Sequence, residues 1–237
     1  MQIFTAEGLL FLLRWIHFLS GITWIGLLYY FNFVQVPFFA ETEPPVRSGA
    51  IQKLVPRALL WFRMGAMMTF VSGWFIIGGR MSQMGAEFFN ASYGWFIFTG
   101  GILGSIMWAN VWFVIWPNQK VVIANAVQTA AGGQPIPDAA ARGRRAFIAS
   151  RTNTLLSIPM LFFMGAASHL ILSFPKPAAG ATAAMALCLA IVFLLIEVNV
   201  LVGTKGPLKK PLETIKGTIV SGFLLAAILY LLFEAIF

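Results

Sequence analysis

The chain has only two histidines, and each lies inside a long apolar run: His17 in "RWIHFLSGITWIGL" and His169 in "SIPMLFFMGAASH". Each has a glycine four residues away, Gly21 after His17 and Gly165 before His169. Residues four apart share a helix face, so each imidazole would stand beside a position with no side chain. A flat macrocycle ligated through imidazole needs such a gap, because its ring must lie along the helix. Arg14 is one turn from His17 on a similar face and could reach a carboxylate of that ligand. Arg14, His17 and Gly21 thus read as propionate partner, axial ligand and ring clearance for a b-type haem, with His169 as the second axial ligand. The same residues have a plainer reading. Histidine in a membrane helix often hydrogen-bonds to a neighbour, arginine near a helix end snorkels, and glycine marks close packing. Two imidazoles without convergent thiolates are a weaker match to a copper or zinc site.

Glu197, in "LLIEVNVLVG", is the one carboxylate well inside an apolar run apart from Glu234 near the C-terminus. An intramembrane carboxylate is a functional candidate by default, here for a proton path or a helix–helix hydrogen bond. Arg63 is a candidate ion-pair partner for it. Asn110 is expected to satisfy a neighbouring helix. Gly100 and Gly104 form a GxxxG, which predicts tight helix packing. Pro159 predicts a kink, and "WPNQK" at 116–120 predicts an interfacial tryptophan followed by a helix stop.

The elements that must position these residues follow from composition. Only 10% of residues are charged and 59% are apolar, with 23 Phe and 8 Trp. A soluble domain carries about a quarter charged residues. Together with a mean hydropathy of +0.83, this predicts an all-α integral membrane protein. Six runs are long enough to span, at about 8–34, 58–79, 93–116, 154–174, 180–203 and 216–237, forming one bundle over residues 1–237. Lipid cannot satisfy open backbone groups, which requires helices. The single cysteine, Cys188, excludes an internal disulfide, a thiolate zinc site and CxxCH haem attachment. "MQIFTAEG" has no basic residue, so the first run is expected to be retained rather than cleaved.

Basic residues set the expected orientation. The first, third and fifth connections hold Arg47, Lys53, Arg57, Lys120, Arg142, Arg144, Arg145, Arg151, Lys205, Lys209, Lys210 and Lys216, against Arg80 and Lys176 on the other side. Positive-inside bias then places those connections in the cytoplasm and both termini in the periplasm of a multi-pass inner-membrane protein. The net charge of +8 reads as orientation and anionic lipid rather than nucleic acid. Both histidines fall in the outer half of the bilayer, His17 ~14 Å and His169 ~8 Å from the outer helix ends at 1.5 Å per residue.

Three stretches, "RWIHFLSGITWIGLLYYFNFVQVP", "GGILGSIMWANVWFVIWPNQK" and "RTNTLLSIPMLFFMGAASH", together resemble the membrane domain of the bacterial membrane-bound urate oxidase (urate hydroxylase) family. That resemblance implies a membrane oxidoreductase linked to a C-terminal periplasmic cytochrome c domain. The 237 residues hold no CxxCH and so do not include that domain. The first stretch is also similar to the first helix of haem-associated membrane proteins such as the bacterial membrane protoporphyrinogen oxidase. There a histidine in a comparable "W-x-H" context is implicated in haem binding.

Three functions follow as expectations. A redox protein with a bis-histidine haem b would exchange electrons with a periplasmic cytochrome or with quinol. Six-coordinate iron favours electron transfer over oxygen chemistry. A non-catalytic structural or assembly subunit of a larger membrane complex would also suit a short, aromatic-rich chain. A transporter would need a polar path and repeated broken helices, and the sequence shows no inverted repeat.

Overall fold

The structure, a computed structural model, describes residues 1–170 and 179–237. Among these it is all-helical: α1 (Ala6–Glu41), α2 (Pro44–Lys53), α3 (Val55–Met84), α4 (Ser92–Ala130), α5 (Ala139–His169), α6 (Ala179–Leu201) and α7 (Ile215–Ile236), with short 3₁₀ turns at Gly85–Phe89 and Pro207–Glu213. All but α2 are long and apolar enough to cross a membrane. The N-terminal ends of α1 and α7 carry side-chain caps: Thr5 Oγ1 accepts from Gly8 N–H at 3.2 Å and Thr214 Oγ1 from Gly217 N–H at 3.0 Å. Lys176 and the end of the fourth run, 171–174, lie outside the described residues.

Several helices outrun their apolar stretches on the basic side. α1 continues to Glu41, α4 to Ala130, and α5 starts at Ala139 rather than near 154. The connection expected over 117–153 shrinks to the few residues between α4 and α5. The stop expected at "WPNQK" does not occur. Instead α1 and α4 each pass a proline through a π-helical turn, Tyr30–Gln35 before Pro37 and Asn110–Ile115 before Pro117. The turns close with Val36 N–H on the Phe31 carbonyl and Trp116 N–H on the Val111 carbonyl. A proline ring collides with the carbonyl four residues back in an α-helix, and the wider turn relieves that collision without ending the helix. Asn118 Nδ2 donates back to the Val114 carbonyl at 2.7 Å in the same region.

α5 is the central helix: 61% of its apolar window is buried within the chain, against 11% for α1. It packs against α4 and α7, while α1 lies mainly on α3. Phe96 of α4, Phe163 of α5 and Phe233 of α7 meet at centroid distances of 5.1–5.6 Å. Helix–helix approach is set by glycines. A Cβ on Gly65 of α3 would lie 3.1 Å from the Ser20 carbonyl and the Trp24 nitrogen of α1.

Pro159 lies inside α5 without ending it. Its missing N–H leaves the Leu155 carbonyl without its helical donor. That carbonyl faces Gly222 of α7, where an added Cβ would come within 2.8 Å of it. The proline and the glycine are therefore one packing device on two helices. Gly222→Leu should separate α5 from α7 and destabilise the fold by about 1–3 kcal/mol, the usual range for overpacking. Reversible unfolding in mixed micelles would read it. An unchanged midpoint would mean α7 tolerates the shift.

At the other end of α5, Arg144 clasps the α6–α7 connection, donating to both Glu213 carboxylate oxygens and to the Thr204 carbonyl. The guanidinium holds the Glu213 carboxyl below the usual carboxylate range.

Candidate functional site

α1, α3, α4 and α5 line a half-open cavity of about 850 Å³. That volume is in the range of a cofactor-sized site. From α1 come Arg14, His17 and Gly21, in the spacing that puts them on one helix face. α3 contributes Gly73, Trp74 and Arg80. Gly101 and Gly104 of α4 and Met160, Met164 and Ser168 of α5 complete the wall.

His17 is held from α3. Its Nδ1 is 3.2 Å from Ser72 Oγ. The Ser72 hydroxyl donates its one hydrogen to the Met68 carbonyl at 2.6 Å, with the Thr69 carbonyl more distant at 3.2 Å. With that hydrogen on the Met68 carbonyl, Ser72 Oγ accepts from the Nδ1–H tautomer of His17, the form in which Nε2 keeps its lone pair. The imidazole lies over Gly73: a Cβ there would be 3.0 Å from His17 Cε1 and 3.3 Å from Nδ1. Clearance for the ring of His17 thus comes from Gly73 of the neighbouring helix. Gly21 faces open space apart from Thr69, whose nearest atom would be 3.9 Å from a Cβ.

Two arginines line the cavity, Arg14 and Arg80. Arg80 donates to Gln83 Oε1 at 2.7 Å and pairs with Glu7 at 3.4 Å. Among the described residues no carboxylate lies within ion-pair distance of Arg14. Trp24, 1% exposed, also lines the cavity, and its indole N–H has no partner among the described residues. The remaining wall is largely aromatic and aliphatic.

His169 and Gly165 are not among the lining residues. His169 is exposed at the end of α5, with Nδ1–H donating to the Gly165 carbonyl at 3.0 Å, and among the described residues nothing would lie within 4 Å of a Cβ added at Gly165. The structure therefore brings Arg14, His17 and Gly21 together and leaves His169 and Gly165 beside the cavity. Ser72, Gly73, Arg80, Met160 and Met164 are the positions that reading along single helices did not pick out. The small-residue pair "SG" at 72–73 inside a long apolar run was their one local signal.

Glu197 meets a second arrangement. Asn153 Nδ2 donates to the Met107 carbonyl at 2.9 Å, which turns its Oδ1 toward Asn110. Asn110 Nδ2 then donates to Asn153 Oδ1 at 3.1 Å and to Glu197 Oε2 at 3.3 Å. Both asparagines are 0% exposed. The expected Arg63–Glu197 pair does not form: the Arg63 guanidinium lies 3.7 Å over the Trp116 ring, where stacking on the indole takes the place of a carboxylate.

No group of three or more His, Cys, Asp or Glu suited to a metal ion occurs among the described residues. Of the site's donors, His17 Nε2 and the thioethers of Met160 and Met164 suit a haem iron. The two arginines suit its carboxylates. The open face at Gly21 suits its ring.

No curated protein and no solved structure matches the chain. Residues 79–199 match the family model described as urate oxidase N-terminal. The matched stretch covers the end of α3, all of α4 and α5 and most of α6, so it includes Arg80, Met160, Met164, His169 and Glu197 and leaves out α1. The chain belongs to the urate oxidase N-terminal family.

Proposed function

We propose that this chain is the membrane domain of a urate oxidase-like redox protein that holds a b-type haem in the cavity between α1, α3, α4 and α5. The observation that carries the reading is His17: a cavity-lining imidazole whose Nδ1–H is fixed by Ser72, leaving Nε2 as a ligand nitrogen. Haem supplies one-electron chemistry at iron when bound. The chain's own groups do the rest. Ser72 fixes the tautomer and the ring plane of His17. Arg14 and Arg80 bind the two carboxylates. The aromatic and aliphatic wall keeps water from the ring, which tunes potential. α5 supplies the opposite side of the site, and His169 at its end is the ligand suggested by the sequence.

The basic connections then face the cytoplasm and both termini the periplasm of the inner membrane, which puts Arg14 and Arg80 near the periplasmic boundary. Electrons from urate or a related purine would pass to a periplasmic cytochrome c; quinol, the alternative partner, would donate electrons to the haem.

Pyridine haemochrome analysis and a reduced-minus-oxidised spectrum of the purified protein test the reading. A b-type α band at near-stoichiometric haem is expected. Protein expressed with ample haem supply and purified without that band would overturn it. Single cysteines at 2 and 236, in a Cys188→Ser background, should both react with an impermeant maleimide added to spheroplasts. Labelling of neither would reverse the orientation.

The largely unburied apolar surface of α1 favours a second reading, a structural subunit packed against other chains in a larger complex. Stable co-purifying subunits together with a haem-free spectrum would support it over the first.

A further inference from the structure

We infer that the ligand opposite His17 is a methionine thioether of α5, Met160, rather than the imidazole of His169. This rests on the haem reading and concerns which residue completes it.

Rotation about α5 comes first. An α-helix turns about 100° per residue, so Met160, Met164 and Ser168 stack along one face. These three line the cavity. His169 stands nine residues beyond Met160, which places it about 180° round the helix from that side chain. The histidine is accordingly exposed, with its Nδ1–H on the Gly165 carbonyl.

Depth gives an independent argument. His17 lies on Gly73 and bonds to Ser72 of α3. Next along α3, Trp74 Nε1 donates to Ser105 Oγ of α4 at 3.0 Å. The adjacent Gly104 faces Met160, whose Sδ would be 3.5 Å from a Cβ there. One chain of contacts thus runs level across the bundle from His17 to the Met160 sulfur. Met164 sits one turn further along, against Gly100, where its side chain would be 3.2 Å from a Cβ. His169 lies about 13 Å further along the axis than Met160 at 1.5 Å per residue. The GxxxG of α4 therefore seats two thioethers.

A histidine–methionine pair gives a higher potential than two histidines, because the thioether favours the ferrous state. The test uses full-length protein in detergent, measured for haem content, ferric charge-transfer absorption and midpoint potential. Met160→Leu conserves volume and should keep the fold. It is expected to lose the thioether-to-iron charge-transfer band and to lower the potential, while Met164→Leu keeps the band and His169→Ala keeps band, potential and haem. Loss of the ligand signature in His169→Ala with an unchanged Met160→Leu spectrum would overturn the inference and leave the haem reading standing. A band lost only in Met164→Leu would overturn the assignment to Met160. Wild-type protein with no haemochrome signal would remove both at once, and that outcome is distinct from the other two.

Discussion

His17→Ala should abolish stoichiometric haem, lowering the haem-to-protein ratio of purified protein at least tenfold. The expectation comes from the geometry around one nitrogen. Nδ1 is committed to Ser72, and the cavity offers no second imidazole among its lining residues. Even partners that only orient a ligand typically change affinity 10–100-fold, so removing the ligand should do no less. Two further variants separate ligation from packing. Ser72→Ala keeps the imidazole but frees its ring, and should weaken haem retention about tenfold or more. Gly73→Val would place a side chain against Cε1 of His17, forcing the imidazole off α3, and should mimic His17→Ala. Haem content by pyridine haemochrome, normalised to protein, reads all three. Full haem in His17→Ala with an unchanged spectrum would end the case for this cavity as a haem site.

What the sequence could reveal about this site divides along a physical line. The α1 constellation was legible because Arg14, His17 and Gly21 repeat within one helix, where 3.6-residue periodicity alone fixes a shared face. The α3 partners were not, since which turn of α3 meets His17 depends on registry between helices, and registry is set by distant contacts such as Gly65 on Ser20 and Trp24. The rotation of α5 was hidden for the same reason. A histidine four residues from a glycine marks a face, but Gly222 on Leu155 and the phenylalanine cluster decide which face turns inward. The helices themselves were visible as apolar runs. Their ends were not, because the extensions past Pro37 and Pro117 are more polar and survive proline only by widening one turn. That turn leaves no mark in composition.

Asn110→Leu should cost about 1–2 kcal/mol of stability, and adding Glu197→Leu should restore part of it. Asn110 cannot flip to compensate for a lost neighbour: Asn153 donates to the Met107 carbonyl, so its oxygen must face Asn110, and Asn110 must present Nδ2 to both Asn153 and Glu197. Leucine at 110 leaves two acceptors without that donor, the buried Asn153 oxygen and a carboxylate oxygen on a helix that touches the bundle lightly. Single hydrogen bonds between membrane helices average only about 0.6 kcal/mol, which alone would predict a small effect. An acceptor stranded away from water costs more than the bond it lost, about 1–3 kcal/mol, and here that term should win. Glu197→Leu alone removes the carboxylate while Asn110 keeps Asn153, so it should be nearly neutral. The pair should then be non-additive, with Asn110→Leu less costly once Glu197 is gone. Unfolding free energies in mixed micelles for the four proteins give the coupling directly. Additivity within about 0.5 kcal/mol would show that Glu197 does not depend on Asn110. Because Glu197 is then held by an amide that only donates, a proton reaching it must come from the side of α6 away from Asn110, and the same four variants measured for redox-linked proton uptake would show whether that side is used.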